Sequence, residues 1–231
     1  MPLKLLKEIF QFFFPSLCVI CENLRESEFL CKSCLELILR ARIHPPFCQK
    51  CGRNLKRHRC KKNLKYIDGV YAIFNYTDKI KDLIETYKFK RYKRLSEFFV
   101  PFIVEHIEKF IPEFDVIIPV PLHPSRKRER GFNQIELILD GLHKRIDISY
   151  RKDILIRIKP TKSQARIKNN EKRKDNVKDA FVVIKKEDIK NKRILLVDDV
   201  FTTGSTLEEC AKALKEKGAF EVYALCIATG S

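Results

Sequence analysis

The 231-residue chain lacks any apolar run approaching the ~20 residues with which a helix crosses a bilayer. The nearest candidate, residues 3–14, is interrupted by Lys4, Lys7 and Glu8. It is too short and too aromatic for a secretory signal, and no small-residue cleavage site follows. It reads as an amphipathic helix docked on its own protein, with a weak membrane-surface anchor as the alternative. Acid is also scarce: 30 Asp and Glu stand against 47 Lys and Arg, a net charge of +17. The excess sits in two blocks, +9 over residues 1–65 and +10 over residues 151–193, while residues 66–150 carry +1 and residues 194–231 carry −3. Such blocks attract polyanions: nucleic acid, polyphosphorylated ligands or an anionic membrane face. The plainer explanation is a Lys-rich solvated surface. Apolar residues make up 45% of the chain, enough for a real core, which excludes disorder. The length suits one mid-sized domain plus a small one.

Nine cysteines without a secretory signal point to a reducing cytosol and to metal binding instead of disulfides. Seven of them fall within residues 18–60. Cys18 and Cys21 form one C-x2-C pair, Cys31 and Cys34 a second, Cys48 and Cys51 a third, and Cys60 follows alone. A C-x2-C pair bends the backbone so that two thiolates face one ion, and zinc prefers a tetrahedron of such ligands. Cys18, Cys21, Cys31 and Cys34 therefore read as one structural zinc site. Cys48 and Cys51, with Gly52 permitting the turn, are half of another. A cysteine at position 63 would complete a last pair, but Asn63 stands there. Either His58 joins Cys60 as a ligand, or this second site has lost its metal. A closed four-ligand site is a stability module, although Arg53, Lys56, Arg57, Arg59, Lys61 and Lys62 around it suit contact with nucleic acid. Cys210 and Cys226 read as buried apolar residues.

Beyond residue 65 the pattern changes to strands alternating with amphipathic helices, which implies an α/β domain with a mainly parallel sheet over residues 66–231. A strand or hairpin is expected at residues 66–76, and strands at residues 115–120, 154–158, 181–184, 193–197 and 222–228. Helices are expected at residues 79–89, 95–110, 131–144 and 206–217. Residues 159–179 are polar, basic and aperiodic, and read as a long loop. The most informative segment is residues 194–207. Four apolar residues form a buried strand, Asp198 and Asp199 follow, and Thr202, Thr203, Gly204, Ser205 and Thr206 then open a helix. Ligands of open α/β sheets bind at the carboxyl ends of strands, and amides at a helix start hold phosphate oxygens. Gly204 lets the backbone approach closely, and the hydroxyls add donors. Two carboxylates beside a phosphate loop repel an anionic ligand unless they accept hydrogen bonds from ribose hydroxyls and a divalent ion such as magnesium offsets charge. A plain capped helix accounts for one Ser or Thr, not for this whole run.

Residues 194–207 resemble the phosphoribosyl pyrophosphate (PRPP) motif of type I phosphoribosyltransferases. The runs Pro119-Val120-Pro121-Leu122-His123-Pro124 and Arg130-Gly131-Phe132-Asn133-Gln134, with Gln164, Arg173, Asn176 and Ala180-Phe181, resemble the ComF competence-protein family. The cysteine array fits that family too. The resemblance implies a type I phosphoribosyltransferase fold behind an N-terminal zinc-ribbon domain over residues 1–65. It implies that Asp198 and Asp199 bind the ribose hydroxyls and that Thr202 through Thr206 hold the 5-phosphate. Val120, Pro121, Leu122 and His123 take the place of the pyrophosphate loop, with Arg130, Asn133 and Gln134 reaching pyrophosphate or bracing that loop; a capped helix start is the alternative. Lys162, Gln164, Arg166 and Arg173 would lie on a mobile hood loop over the substrate. Tyr87-Lys88 falls where the family often has a basic dipeptide; a solvent-facing helix end is the alternative.

Catalysis in this class is dissociative at the anomeric carbon, so positioning and charge stabilisation dominate and no general base stands out. His123, the only histidine near the expected site, reads as structural. Three functions compete: transfer of a phosphoribosyl group to an unidentified nucleophile, single-stranded DNA handling with PRPP as regulator, and a scaffold. The family resemblance implies DNA uptake in natural transformation. It also implies a cytoplasmic protein, with peripheral association at the inner membrane and other DNA-uptake proteins as partners. Phe47, Tyr87, Phe89 and Tyr92 are candidate stacking residues on a charged DNA track.

Overall fold

The structure, a computed structural model, describes residues 16–25, 27–89, 92–159 and 178–230, with Arg57 described in its backbone alone. The expected helix at residues 3–14, most of the 159–179 loop and the hood residues Lys162, Gln164, Arg166 and Arg173 lie outside the described residues.

Four parallel strands form the central sheet: β1 (Gly69–Asn75), β2 (Val116–Pro119), β5 (Arg193–Phe201) and β6 (Glu221–Thr229), in the order β1-β6-β5-β2. Ile194 through Val197 and Ala224 through Ala228 are buried without alternation, because parallel sheets are covered on both faces. Helices α2 (Asp78–Phe89) and α3 (Leu95–Lys109) follow β1. The helix α5 (Gln134–His143) buries Ile135, Ile138, Leu139 and Leu142 as one stripe, and the side chain of Asn133 caps its start by accepting from the amide of Ile135 at 3.0 Å. α3 and α5 pack together on one another, while α6 (Ser205–Lys215) packs against β5 and β6.

Three features depart from expectation. β3 (Leu155–Arg157) and β4 (Phe181–Val183) do not join the parallel sheet; they pair antiparallel as a separate ribbon. β5 runs to Phe201 instead of ending at Val197, because Asp198, Val200 and Phe201 keep their register with β6. A helix α4 (Pro124–Arg130) precedes the expected one. It buries none of its residues, so it has no apolar stripe for periodicity to detect; Pro124 opens it and Gly131, at φ +84°, ends it.

The cysteine-rich segment is bonded to the sheet. Its helix α1 (Lys32–Arg40) leads into residues 41–52, which run along the outer edge of β1. Asn75 N donates to Ala41 O at 2.8 Å, Ile43 N to Ile73 O at 2.8 Å, and Val70 N to Gln49 O at 2.9 Å. This satisfies an edge that would otherwise template association. Gly52 sits where the strip comes nearest, at φ +73°, and a Cβ there would lie 2.8 Å from the backbone nitrogen of Ala72. Gly52→Ala is therefore expected to lower the free energy of unfolding by about 2–4 kcal/mol, measured by urea denaturation of the zinc-loaded protein.

Candidate active site and metal centres

Both cysteine groups close into four-ligand clusters. Cys18, Cys21, Cys31 and Cys34 bring their ligand atoms within 4.8 Å of one another, and Cys48, Cys51, His58 and Cys60 do the same. Cys51 Sγ lies 3.0 Å from His58 Nε2, and the other ring nitrogen of His58 faces the carbonyl of Asn54 at 3.1 Å. Such a partner fixes the ring's orientation. Of the two readings left open for the second group, the geometry favours His58 as the substitute for the missing cysteine. The amide of Cys34 and the hydroxyl of Ser33 hold the Cys31 thiol down at about 6, toward the thiolate that binds metal. Both donor sets fit zinc in composition and closure.

The main cleft, about 620 Å³, opens at the carboxyl ends of β2 and β5. Asp198, Asp199, Thr202, Thr206, Val120, Pro121, Leu122 and Arg130 all line it. The other expected residues support it or face elsewhere. Thr203 Oγ1 lies 2.8 Å from Ser205 Oγ and 3.3 Å from the Ser205 amide nitrogen, and Thr203 itself lines a neighbouring cleft. Gly204 stands at φ +84° just before α6, with the ring of Phe201 where a Cβ would be. His123 is not on the cleft wall; its Nδ1 accepts from the Ser125 amide at 3.2 Å and caps α4. Asn133 Nδ2 donates to the carbonyl of Val120 at 3.4 Å, so this side chain braces the turn.

The two carboxylates differ sharply. Burial and the neighbouring Asp199 push Asp198 up to about 7, although the Asp199 amide donates to its Oδ1 at 2.8 Å. Burial also disfavours the Asp199 anion, but Lys88, Gln134 and Arg130 together hold that carboxyl below its usual range, with Lys88 Nζ 2.7 Å from Asp199 Oδ2. Gln134 Nε2 donates to the same oxygen, and Arg130 donates to Gln134 Oε1. The hydroxyl of buried Tyr87 donates to the Gln134 carbonyl at 2.6 Å. Arg126 and Arg157 complete a cationic wall; burial, then the nearby Arg126, lowers the pKa of Arg157. One pocket thus joins a carboxylate pair, a turn of hydroxyls and amides, and five basic side chains, Lys81 among them.

The double zinc ribbon family model matches residues 9–67, and the phosphoribosyl transferase domain model matches residues 140–231. Competence protein F of Haemophilus influenzae is 33% identical over 77% of this chain and 82% of that protein. Competence protein ComFC of Streptococcus pneumoniae is 32% identical over 77% of this chain and 76% of that protein. The chain belongs to the ComF competence-protein family. A third relative, the DNA utilization protein YhgH of Salmonella typhi, is 27% identical over 92% of this chain and 96% of that protein. The fold of this ComF-family chain is the type I phosphoribosyltransferase fold with an N-terminal double zinc ribbon, and the ribbon and its cysteine clusters support structural zinc.

Sequence reasoning left Lys88 open and missed Arg126 and Arg157 altogether. Lys88 had a signal in its place, Tyr87-Lys88 standing where the family often has a basic dipeptide; the two arginines had none, since neither stands in a motif. Two of the stacking candidates fail: Phe47 and Tyr87 are buried, whereas Phe89 is exposed and Tyr92 is partly buried against the core. Cys210 and Cys226 are buried. No helix among the described residues is long and apolar enough to cross a membrane.

Two outcomes follow from this geometry. The zinc-loaded protein is expected to carry two ions per chain by elemental analysis, one for each cluster, and His58→Ala to lose one. Asp198 binds its proton more tightly when folded than unfolded, so its contribution to stability falls as pH rises from the ordinary aspartate value of 3.8 through about 7. Asp198→Asn removes that titration. Its melting temperature relative to the unaltered protein should therefore rise between pH 5 and pH 8, and a difference independent of pH would refute the assignment.

Proposed function

We propose that this ComF-family protein binds PRPP in the main cleft and works in DNA uptake. The observation that carries the reading is the pairing of Asp198 and Asp199 with the hydroxyl-rich turn, facing Lys88, Arg126, Arg130 and Arg157 across one pocket. Thr202, Thr206 and the amides before α6 take the 5-phosphate, while Thr203 and Ser205 brace the turn through each other. Asp198 and Asp199 accept from the ribose diol. Val120, Pro121, Leu122 and Arg130, with Arg126 and Arg157, receive the pyrophosphate. The raised pKa of Asp198 supports this, because it marks a carboxylate pair that Lys88 alone compensates incompletely. Two hydroxyl donors would let both acids ionise. Magnesium arriving with the diphosphate would supply the remaining charge neutralisation.

In the dissociative reaction these residues would hold the anomeric carbon and leaving pyrophosphate in line while the basic wall stabilises developing negative charge. The acceptor is a nucleophile that enters from the open side of the cleft. The similarity to competence proteins and to a DNA utilization protein supports the uptake role. Single-stranded DNA and DNA-uptake proteins at the inner membrane face belong to the same proposal. The basic residues Arg53, Arg59, Lys61 and Lys62 form one wall of the neighbouring cleft and suit a phosphate backbone.

Calorimetry of the folded, zinc-loaded protein with magnesium and PRPP tests the reading. Binding heat is expected from the unaltered chain, with affinity weakened at least about tenfold by Asp199→Asn, which removes a charged acceptor. Pyrophosphate release in the presence of bases, amines or oligonucleotide ends then separates a transferase from a sensor. Absence of any heat would overturn the assignment.

A further inference from the structure

The turn assigned to the 5-phosphate is backed by a segment that starts at a metal ligand. Residues 58–64 contain no helix or strand, so the conformation behind the turn depends on its anchors. At one end the amide of Lys62 points at Cys60 Sγ, 3.5 Å away. At the other, the amides of Lys65 and Tyr66 donate to Glu208 Oε1, in the first turn of α6, at 2.5 and 3.0 Å. Between these anchors two side chains reach the turn itself. Lys62 Nζ donates to the carbonyl oxygen of Thr202 at 2.7 Å and lies 5.9 Å from the centre of the Phe201 ring. Leu64 sits against Gly204, its Cδ2 3.3 Å from where a Cβ on that glycine would be.

The Lys62 contact has an electronic consequence. A carbonyl that accepts from an ammonium is polarised, and the N–H across the same peptide bond becomes a stronger donor. That N–H belongs to Thr203, in the middle of the turn. The contact also fixes the orientation of the peptide plane, so the donor is aimed before any ligand arrives. Lys62 can do this only while its own backbone is held in place, and the neighbouring thiolate Cys60 is part of that hold.

We propose that the cluster of Cys48, Cys51, His58 and Cys60 sets the affinity of the phosphate turn through Lys62, so that metal occupancy and sugar-phosphate binding are thermodynamically coupled. This rests on the PRPP reading above. Lys62 is a positioning residue in this scheme: it acts on the turn's peptide from behind. Coupling between two sites is reciprocal, so a ligand on the turn must also retain metal in this cluster. The first cluster, Cys18 to Cys34, has no such connection among the described hydrogen bonds and serves as an internal control.

The test uses the full zinc-loaded chain, with PRPP and magnesium as the probe. Calorimetry compares the unaltered protein with Lys62→Met and Lys62→Arg, and a colorimetric chelator follows zinc release with and without PRPP. Lys62→Met is expected to keep two zinc ions per chain and its melting temperature, to bind PRPP about tenfold more weakly, and to lose the slowing of zinc release that PRPP confers on one of the two ions. Lys62→Arg, which keeps the charge and a donor, should restore much of both effects. A merely structural lysine would alter stability without abolishing the protection of zinc. Unchanged PRPP affinity in Lys62→Met, or zinc release indifferent to PRPP in the unaltered protein, would overturn the coupling while leaving the PRPP assignment standing. No heat from the unaltered protein would remove both.

Discussion

Two adjacent carboxylates at the end of a buried strand are the constraint around which the active-site half of the molecule is arranged. Neighbouring anions in a low-dielectric setting repel and lose hydration together. The chain offsets this with residues distant in sequence: Lys88 from α2, Gln134 from α5, and Arg130 behind Gln134. Each is in turn held by something else. Tyr87 anchors the start of α5 through the Gln134 carbonyl, and Asn133 ties the same helix to Val120. The packing of α2 and α5 is therefore inseparable from the electrostatics of the cleft. Compensation remains partial, as the divergent behaviour of Asp198 and Asp199 records. An incompletely neutralised acid pair is poor structural design and good ligand design, because a diol and a cation complete it.

The metal-binding half contributes differently. Its clusters staple a short segment whose Leu30, Ile38 and Ile43 are buried in the same core as the sheet. Their reach extends further than local stability, since residues 41–52 hydrogen-bond along β1 and the hydroxyl of Thr229, at the end of β6, donates to the Cys51 carbonyl at 2.8 Å. Metal ligands and sheet edge thus share a backbone.

Legibility of the sequence followed the locality of each signal. The C-x2-C pairs and the run from Ile194 to Leu207 carry their chemistry in adjacent residues, so the first metal cluster and the acid pair with its hydroxyl turn could be read directly. His58 was readable only as one of two alternatives, because a substitute ligand shows itself by proximity and not by spacing. The β1 strand and α5 emerged from hydrophobic pattern, whereas α4 did not, since every one of its residues faces water to some degree. Lys88, Arg126 and Arg157 reach the cleft from α2, α4 and β3, and only the folded chain brings them together. Phe47 and Tyr87 looked available for stacking because aromatic side chains carry no sequence mark of burial; tertiary packing claimed both.

The strip from Ala41 to Gly52 along β1 bears on how such proteins can be taken apart or recombined. A cut near residue 65 would look natural from composition, yet it would strip a row of amides and carbonyls of their partners and leave an open edge for other chains to pair with. Exchange of one ribbon for another between relatives must carry a matching β1, with Ala72 kept small opposite Gly52. The two halves are expected to have diversified together, as one inherited unit, and not as interchangeable cassettes.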